Sequence, residues 1–242
     1  MENQTAAGMN RTGLDMAPLS RGDMVDYAQA EAGRAPESDG TFEAVHMAYI
    51  EEAERVGSVP LPATIKGMAT TAISKMSGKK PEVLIDKLGE RLAFERAGTR
   101  LYEAMLLKCG GVDGTENPID VPALARIRDD EEMHFHLVHK FIERLGGDPT
   151  AMTPCGDVVG VQGMGLMQVI SDPRTTIAQA LNALLTAELA DNAGWDLLVE
   201  LAEQTGQDEM ATEFSAAMQA ERQHLDMVRG WLRQAVLQEA TS

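Results

Sequence analysis

The segment Asp129-Asp130-Glu131-Glu132-Met133-His134 places two ionisable side chains on a helix face that is otherwise apolar. Glu131 and His134 are three residues apart, a spacing that puts both on the same face of an α-helix. They complete a series with alternating steps of three and four residues, whose other members are Leu124, Ile127, Val138, Phe141 and Leu145. Such a stripe is the face that a packed helix turns towards the core. Burying two ionisable groups without partners costs several kcal/mol, so the rest of the chain must supply what compensates them.

The composition favours an all-α protein. The chain has 242 residues, of which 44% are hydrophobic and only 4% aromatic. Ala, Leu, Met, Glu and Gln are abundant, and these residues are good helix formers. The length accommodates one large domain, or one domain with an extension.

Charge and cysteine content exclude several classes of function. The formal charge of −17 argues against a nucleic-acid partner, because no basic patch offsets the repulsion from phosphates. No apolar run reaches the roughly 18 residues of a membrane span, and residues 1–5 do not resemble a secretory signal. Two isolated cysteines, Cys109 and Cys155, form neither a CxxC pair nor a disulfide framework. These features predict a cytoplasmic protein with no nucleic-acid and no membrane partner.

The first 80 residues are predicted to form an N-terminal helical extension. Residues 1–40 are polar and lack a clear period, which is typical of a tail or a partner-dependent arm. Two helices are predicted, from Thr41 to about Val56 and from Ala63 to Met76. The sequence Ser77-Gly78-Lys79-Lys80-Pro81 then interrupts the pattern, and the domain boundary is placed there, before a second domain of residues 81–242.

Residues 81–242 are predicted to form four long helices. The first covers residues 81–109, and the second follows Pro118 and Pro122 and runs to about Leu145. The third is capped by Asp172, with Pro173 at its first position, and ends at Gly206. The fourth begins near Asp208.

The connections between these helices predict their arrangement. Residues 147–172, between the second and third helices, are Gly-rich, weakly periodic and long enough to cross the length of a bundle. The other two connections are short and favour antiparallel neighbours. The predicted fold is therefore a four-helix bundle with one long crossover, in which the second and third helices are parallel.

Each predicted bundle helix carries a carboxylate in the middle of its apolar face, and two of the helices add a histidine three residues on. These six residues are Glu95, Glu131, His134, Glu188, Glu221 and His224. Antiparallel packing brings the middles of the helices to one level, so the six side chains can converge. Four carboxylates neutralise two divalent cations, as a water-poor core requires. The mixed oxygen and nitrogen ligand set suits iron or manganese better than zinc alone.

The sequence thus predicts a site for two divalent metal ions, with Glu131 as a bridging ligand and His134 as a terminal one. Asp130 is a candidate to support a ligand from behind, and Thr99 and Asn192 are candidates to line a pocket for O₂ or peroxide. The alternative is a bundle with solvated charged faces and satisfied core histidines. That alternative does not explain why four helices lose their apolar layer at the same height.

The order Glu, Glu-x-x-His, Glu, Glu-x-x-His on successive helices resembles the ferritin-like superfamily of di-iron and di-manganese carboxylate proteins. The resemblance covers residues 81–242 and implies a ferritin-like four-helix bundle. With only two cysteines in the chain, the rubredoxin-like electron-transfer domain found in rubrerythrins is absent. Residues 1–80 match no part of the pattern.

The resemblance implies catalytic roles for two further residues. Tyr102, one heptad after Glu95, resembles the tyrosine that many ferritins and bacterioferritins place beside the metal centre. Asp191, three residues after Glu188, resembles an additional carboxylate ligand of rubrerythrins, which is a glutamate there. The alternative is that Asp191 accepts a hydrogen bond from a ligand histidine.

The function that the resemblance implies is that of an oxidoreductase. A pair of iron ions, or alternatively manganese ions, reacts with O₂ or H₂O₂ in ferroxidase, peroxidase or manganese-catalase chemistry, with an unidentified electron donor or organic substrate. Iron storage or a cargo role is an alternative, and a purely structural helical module is another. A homo-oligomer, a dimer or larger, is expected.

Overall fold

The structure of the protein is a computed structural model, which describes residues 21–31, 40–62, 64, 67, 80–111 and 117–241. The chain divides into two units, Met1–Glu54 and Arg55–Ser242. All regular secondary structure in the described residues is α-helical, which confirms the prediction of an all-α protein. The domain boundary placed after residue 80 stays a prediction.

In the described residues of the first unit there are two helices, α1 (Arg21–Glu31) and α2 (Thr41–Glu52). The irregular composition of residues 1–40 did not predict α1. α2 begins where predicted but ends before Val56, because the backbone becomes extended at Ala53. No residue of α2 is buried. The helix predicted from Ala63 to Met76 lies outside the described residues, apart from two isolated positions within it.

The second unit contains five described helices. They are α3 (Pro81–Gly110), α4 (Val121–Arg144), α5 (Pro154–Ser171), α6 (Ile177–Thr205) and α7 (Asp208–Glu239). α3, α4, α6 and α7 correspond to the four predicted long helices. Within the described part of the chain, no helix is both long and apolar enough to cross a membrane.

Helix α5 occupies the segment that was predicted as a Gly-rich, weakly periodic connection. It begins because Thr153 accepts a hydrogen bond from the backbone N–H of Gly156, with Pro154 at the first helical position. The Asp86 carboxylate on α3 accepts a second hydrogen bond, from the backbone N–H of Cys155. The local cap and the contact with α3 together compensate for the low intrinsic helix propensity of the glycines.

Asp172 does not cap the third predicted helix, which begins at Ile177 rather than at Pro173. The Asp172 carboxylate instead accepts hydrogen bonds from the Arg174 guanidinium. Asp172 is the residue that follows the last residue of α5. Thr176 caps α6 in a capping box with Gln179, in which each side chain accepts from the other residue's backbone N–H. This box satisfies two free N–H groups at the start of the helix, which explains why the helix begins there.

Side-chain contacts show the directions in which these helices run. α4 and α7 are antiparallel, since Lys140 pairs with Glu213 and Arg144 with Glu209. α3 and α5 are parallel: Asp86 contacts the start of α5, whereas Lys108 donates to the carbonyl oxygen of Asp172 just beyond its end. α5 therefore lies along α3, in the same direction, and leads from the end of α4 to the start of α6.

The described residues of the second unit form two buried apolar clusters. One contains residues such as Leu124, Leu181 and Val228, and the other contains residues such as Leu88 and Trp195. α3, α4, α6 and α7 each contribute to both clusters. Each helix also carries buried ionisable residues, near the point where it passes from one cluster to the other. We call these residues the polar layer, and they are Arg91, Glu95, Glu131, His134, Glu188, Asp191, Glu221 and His224.

Candidate metal centre

The polar layer contains all six predicted metal ligands, and none of the six is more than 6% exposed. Each of these residues comes from the middle of one of the four long helices, where the stripe of apolar residues is interrupted. Apolar clusters lie on either side, so the layer is isolated from bulk water along the helix axes. Ionisable side chains in such a place need partners or a cation.

Donor atoms in the polar layer converge in two groups within the described part of the chain. In each group the donor atoms lie within 4.8 Å of one another. Group A consists of Glu131, Glu188, Glu221 and His224, and group B consists of Glu95, His134 and Glu221. Glu221 belongs to both groups, which makes it the carboxylate best placed to bridge two ions. Glu131, the predicted bridging ligand, lies in group A alone.

His224 is oriented by hydrogen bonds at both ring nitrogens. Its Nε2 lies 3.1 Å from Oδ2 of Asp130, and its Nδ1 lies 3.0 Å from Oε2 of Glu221 and 3.7 Å from Oε1 of Glu131. A carboxylate at Nε2 holds the proton there, and Nδ1 is then available to a metal ion. Asp130 thus occupies the supporting position that was predicted for it.

His134 lies across the layer from His224. Its Nδ1 is 2.5 Å from Oε1 of Glu221 and 3.9 Å from Oε2 of Glu95. Its ring and that of the buried Trp195 pack edge to face, with the ring centroids 5.5 Å apart. This packing fixes the imidazole with Nδ1 turned towards the two carboxylates.

Several donor atoms of the layer are buried without a hydrogen-bond partner among the described residues. The close approach of His134 to Glu221 lies outside hydrogen-bonding geometry, so both atoms belong to this set. Outside groups A and B, Arg91 Nε and Asp191 Oδ2 are in this state, and within the two groups the atoms are Glu95 Oε2, His134 Nδ1, Glu188 Oε2 and Glu221 Oε1. Buried carboxylate oxygens are rarely left without partners, because their desolvation is costly. A cation in each group would satisfy them.

Gly98 on α3 leaves the space that the Glu131 carboxylate occupies. A Cβ at position 98 would overlap Oε2 of Glu131 and would lie 3.0 Å from its Cδ. Any side chain at position 98 would therefore force the Glu131 carboxylate out of its present position beside α3. Sequence reasoning missed Gly98, although a glycine inside a long helix, three residues after Glu95, was a signal of close approach.

Tyr102 lies beside the layer, as the resemblance implied. Its hydroxyl donates a hydrogen bond to Oε1 of Glu188, and its ring is fully buried. Burial and the charge of Glu188 raise the pKa of Tyr102 well above its usual range. The phenol is thus a stable hydrogen-bond donor to that carboxylate.

The structure does not bring Asp191 into either donor group or against a ligand histidine. Its carboxylate accepts a hydrogen bond from Arg91, which is 3% exposed and also donates to Oε1 of Glu95 at 3.3 Å. Asp191 therefore pairs with a buried cation that sequence reasoning missed. The signal was available, since Arg91 precedes Glu95 by one helical turn on the buried face of α3.

The protonation states of the polar layer depend on burial and on the charged groups next to each residue. Burial raises the pKa values of Glu95, Glu131 and Glu188, and the negative charges of nearby carboxylates raise them further. Burial also favours the neutral forms of Glu221 and His224, but hydrogen bonds between carboxylate and imidazole outweigh it. The pKa of Glu221 is lowered and the pKa of His224 is raised. Glu221 is thus an anion between imidazoles, whereas the other carboxyl groups retain protons more readily.

We expect the metal-free protein to be more stable at pH 5 than at pH 8. Groups with raised pKa values, such as Glu95 and Glu188, bind protons in the folded state that the unfolded chain has lost above about pH 4.5. The free energy of unfolding of the metal-free protein therefore falls as the pH rises from 5 to 8. Glu221 has the opposite sign but acts below pH 4.5. Urea denaturation in the presence of a chelator, at four pH values, measures the slope of the free energy of unfolding against pH.

The variant Glu188→Gln tests the origin of this pH dependence, because the amide mimics the protonated acid. It should reduce the slope and raise the stability of the metal-free protein at pH 8. A metal-free stability that rises from pH 5 to pH 8, with the same slope in the variant, would contradict the assignment of the buried carboxyl groups.

The two polar residues predicted beside the centre bind backbone carbonyl groups. Thr99 donates to the carbonyl oxygen of Glu95, and the Asn192 amide donates to those of Glu188 and Glu221. Asn192 therefore joins α6 to α7 at the level of the ligands. A pocket for O₂ or peroxide beside these residues stays a prediction.

Comparison of the chain with protein-family models gives no match. Searches of curated proteins and of solved structures give no match either.

Proposed function

We propose that the protein is a dinuclear-metal oxidoreductase of the ferritin-like kind, in which α3, α4, α6 and α7 form a four-helix bundle and α5 is the crossover. The antiparallel contacts of α4 with α7, and the path of α5 along α3, support this arrangement. The observation that carries the functional proposal is the pair of buried donor groups that share Glu221.

The residues of the two groups fit a pair of divalent ions. Group A offers three carboxylates and an imidazole, and group B offers two carboxylates and an imidazole. Four glutamates balance the charge of two divalent cations, while Arg91 and Asp191 balance one another. Oxygen and nitrogen donors in this ratio suit iron and manganese. Iron is the proposed metal, with manganese as the alternative.

The chemistry that such a metal pair supplies is the transfer of electrons to O₂ or H₂O₂. The chain's own residues hold the ligands in place and exclude water. Tyr102 donates to one oxygen of Glu188, which leaves the other, buried and without a hydrogen-bond partner among the described residues, for a metal ion. Asp130 holds a proton on Nε2 of His224, so that Nδ1 faces the carboxylates. The two apolar clusters keep bulk water away from this layer, which strengthens the electrostatic interactions in it.

Metal analysis followed by consumption assays tests the proposal. We expect the purified protein, reconstituted with iron or with manganese, to contain two ions per chain. We expect at least one of these forms to consume O₂ or H₂O₂. Glu213→Gln is the control, because Glu213 is a carboxylate on α7 that pairs with Lys140 outside the polar layer. Less than one ion per chain in both forms would contradict the proposal.

The net charge of −17 favours iron storage as a second candidate, because it raises the local concentration of cations. The particle mass from light scattering separates the two functions. A large closed shell that retains many ferric ions per chain would support storage. A small oligomer that turns over peroxide with only two ions per chain would support the enzyme.

A further inference from the structure

Glu95 and Glu188 are held in the same way by side chains of α3. Oε1 of Glu188 accepts a hydrogen bond from Tyr102, and Oε1 of Glu95 accepts one from Arg91 at 3.3 Å. In both glutamates Oε2 is buried and has no hydrogen-bond partner in the described part of the chain. One oxygen of each carboxylate is therefore anchored, and the other is left for a metal ion.

Arg91, the residue that anchors Glu95, is itself held by several buried neighbours. Arg91 donates to Oδ1 of Asp191, and its Cζ lies 4.8 Å from the ring centroid of Phe94 and 5.6 Å from that of Trp195. Gly194 leaves the space for the guanidinium, because a Cβ there would overlap Nη2 of Arg91. The position of this cation is thus determined by two helices, α3 and α6.

A buried ion pair alone does not account for this arrangement. Replacing such a pair by apolar residues of similar volume is often neutral or stabilising, so stability gives little reason to retain Arg91 and Asp191. A cation next to Glu95 also competes with a metal ion for the same carboxylate. Asp191 removes this competition, because it neutralises Arg91 while leaving its N–H groups able to donate.

We propose that Arg91, held by Asp191 in the space left by Gly194, is a positioning residue that turns Oε2 of Glu95 towards group B. This inference rests on the proposed function. Group A has its own anchors, Tyr102 and Asp130, and no hydrogen bond or ion pair among the described residues joins it to Asp191. The affinity of group B for a metal ion therefore depends on Asp191, whereas the affinity of group A does not.

Titration of the metal-free protein with Mn²⁺ tests the proposal. Calorimetry gives the two affinities, and electron paramagnetic resonance distinguishes coupled ion pairs from single ions. In Asp191→Asn, which keeps the shape and removes the charge, we expect one Mn²⁺ to bind within about twofold of the wild-type affinity. We expect the other to bind about tenfold or more weakly, as for other residues that orient metal ligands. At one equivalent per chain the variant should show only uncoupled Mn²⁺.

Asp196→Asn is the matched control, because Asp196 lies on the same helix and pairs with Arg222 on the surface at 3.2 Å. It should leave both affinities unchanged, and Asp191→Glu should restore part of the second affinity. A double variant, Arg91→Met with Asp191→Leu, keeps the net charge and removes the anchor. It should also lose the second ion selectively, and it provides the test if Asp191→Asn does not fold.

The outcomes separate the two levels of the argument. If the wild-type protein binds no Mn²⁺ and no Fe²⁺, the proposed function fails and the inference fails with it. If the wild-type protein binds two ions, and Asp191→Asn and the double variant either keep both affinities or lose both equally, the positioning role alone is refuted. Selective loss of one ion, with the far-ultraviolet circular dichroism of the metal-free protein unchanged, supports it.

Discussion

Replacement of Glu221 by alanine is expected to abolish the binding of both metal ions. Glu221 is the carboxylate common to groups A and B, it is 0% exposed, and it lies against both imidazoles. Its removal takes one candidate ligand from each group and leaves His134 and His224 without the carboxylate that lies against both. Glu188→Ala, by contrast, removes a ligand from group A only and should leave one ion per chain.

Metal content and thermal unfolding measure this effect. A ligand that binds only the folded state, at a thousand times its dissociation constant, stabilises a protein by about 4 kcal/mol. The wild-type protein should show a rise of this order for each tightly bound ion, and Glu221→Ala should show none. Glu213→Ala, on the same helix but in a partly exposed pair with Lys140, should cost about 0–1 kcal/mol and retain both ions. Two ions per chain in Glu221→Ala would contradict the shared position of this residue.

Gly98→Ala is expected to destabilise the protein, although alanine is the better helix former. In an exposed helix interior the change from glycine to alanine stabilises by about 0.5–1 kcal/mol. At position 98 the added Cβ overlaps the Glu131 carboxylate, which is itself 2% exposed and has little room to move. Overpacking of this kind typically costs about 1–3 kcal/mol. Displacement of Glu131 should also remove the ion of group A.

Gly230→Ala is the matched control for this substitution. Gly230 lies in the interior of α7, and a Cβ there meets no atom of the described residues within 4 Å. Urea denaturation of both variants without metal, and metal analysis of both after reconstitution, make the comparison. If Gly98→Ala is as stable as Gly230→Ala and keeps two ions, the close approach of α3 to Glu131 is not a constraint.

The burial of the six predicted ligands could be read from the sequence because helix periodicity is local. The stripe through Glu131 and His134 continues as apolar residues on both sides, and the structure buries it as a whole. The same holds for the stripe through Glu221 and His224 on α7. Each assignment needed only the spacing within one helix.

Composition was a poor guide where tertiary contacts outweigh local propensity. The glycines of residues 147–172 suggested a weakly periodic connection, but the Thr153 cap and the contact with Asp86 favour helix α5 there. Asp172 followed by Pro173 had the features of a helix start, but the Thr176 capping box supplies a better one. Both errors arose because a single local signal was read without its competitors.

The sequence by itself determined that four helices place ionisable residues on buried faces, because the repeat of an α-helix acts over a few neighbouring residues. Only the tertiary structure decided how these residues combine. The sharing of Glu221, the support of His224 by Asp130, and the pairing of Arg91 with Asp191 depend on the register between helices. That register pairs Arg91 with Asp191, 100 positions further along the chain, and it is set by packing of the two apolar clusters, which no local pattern records.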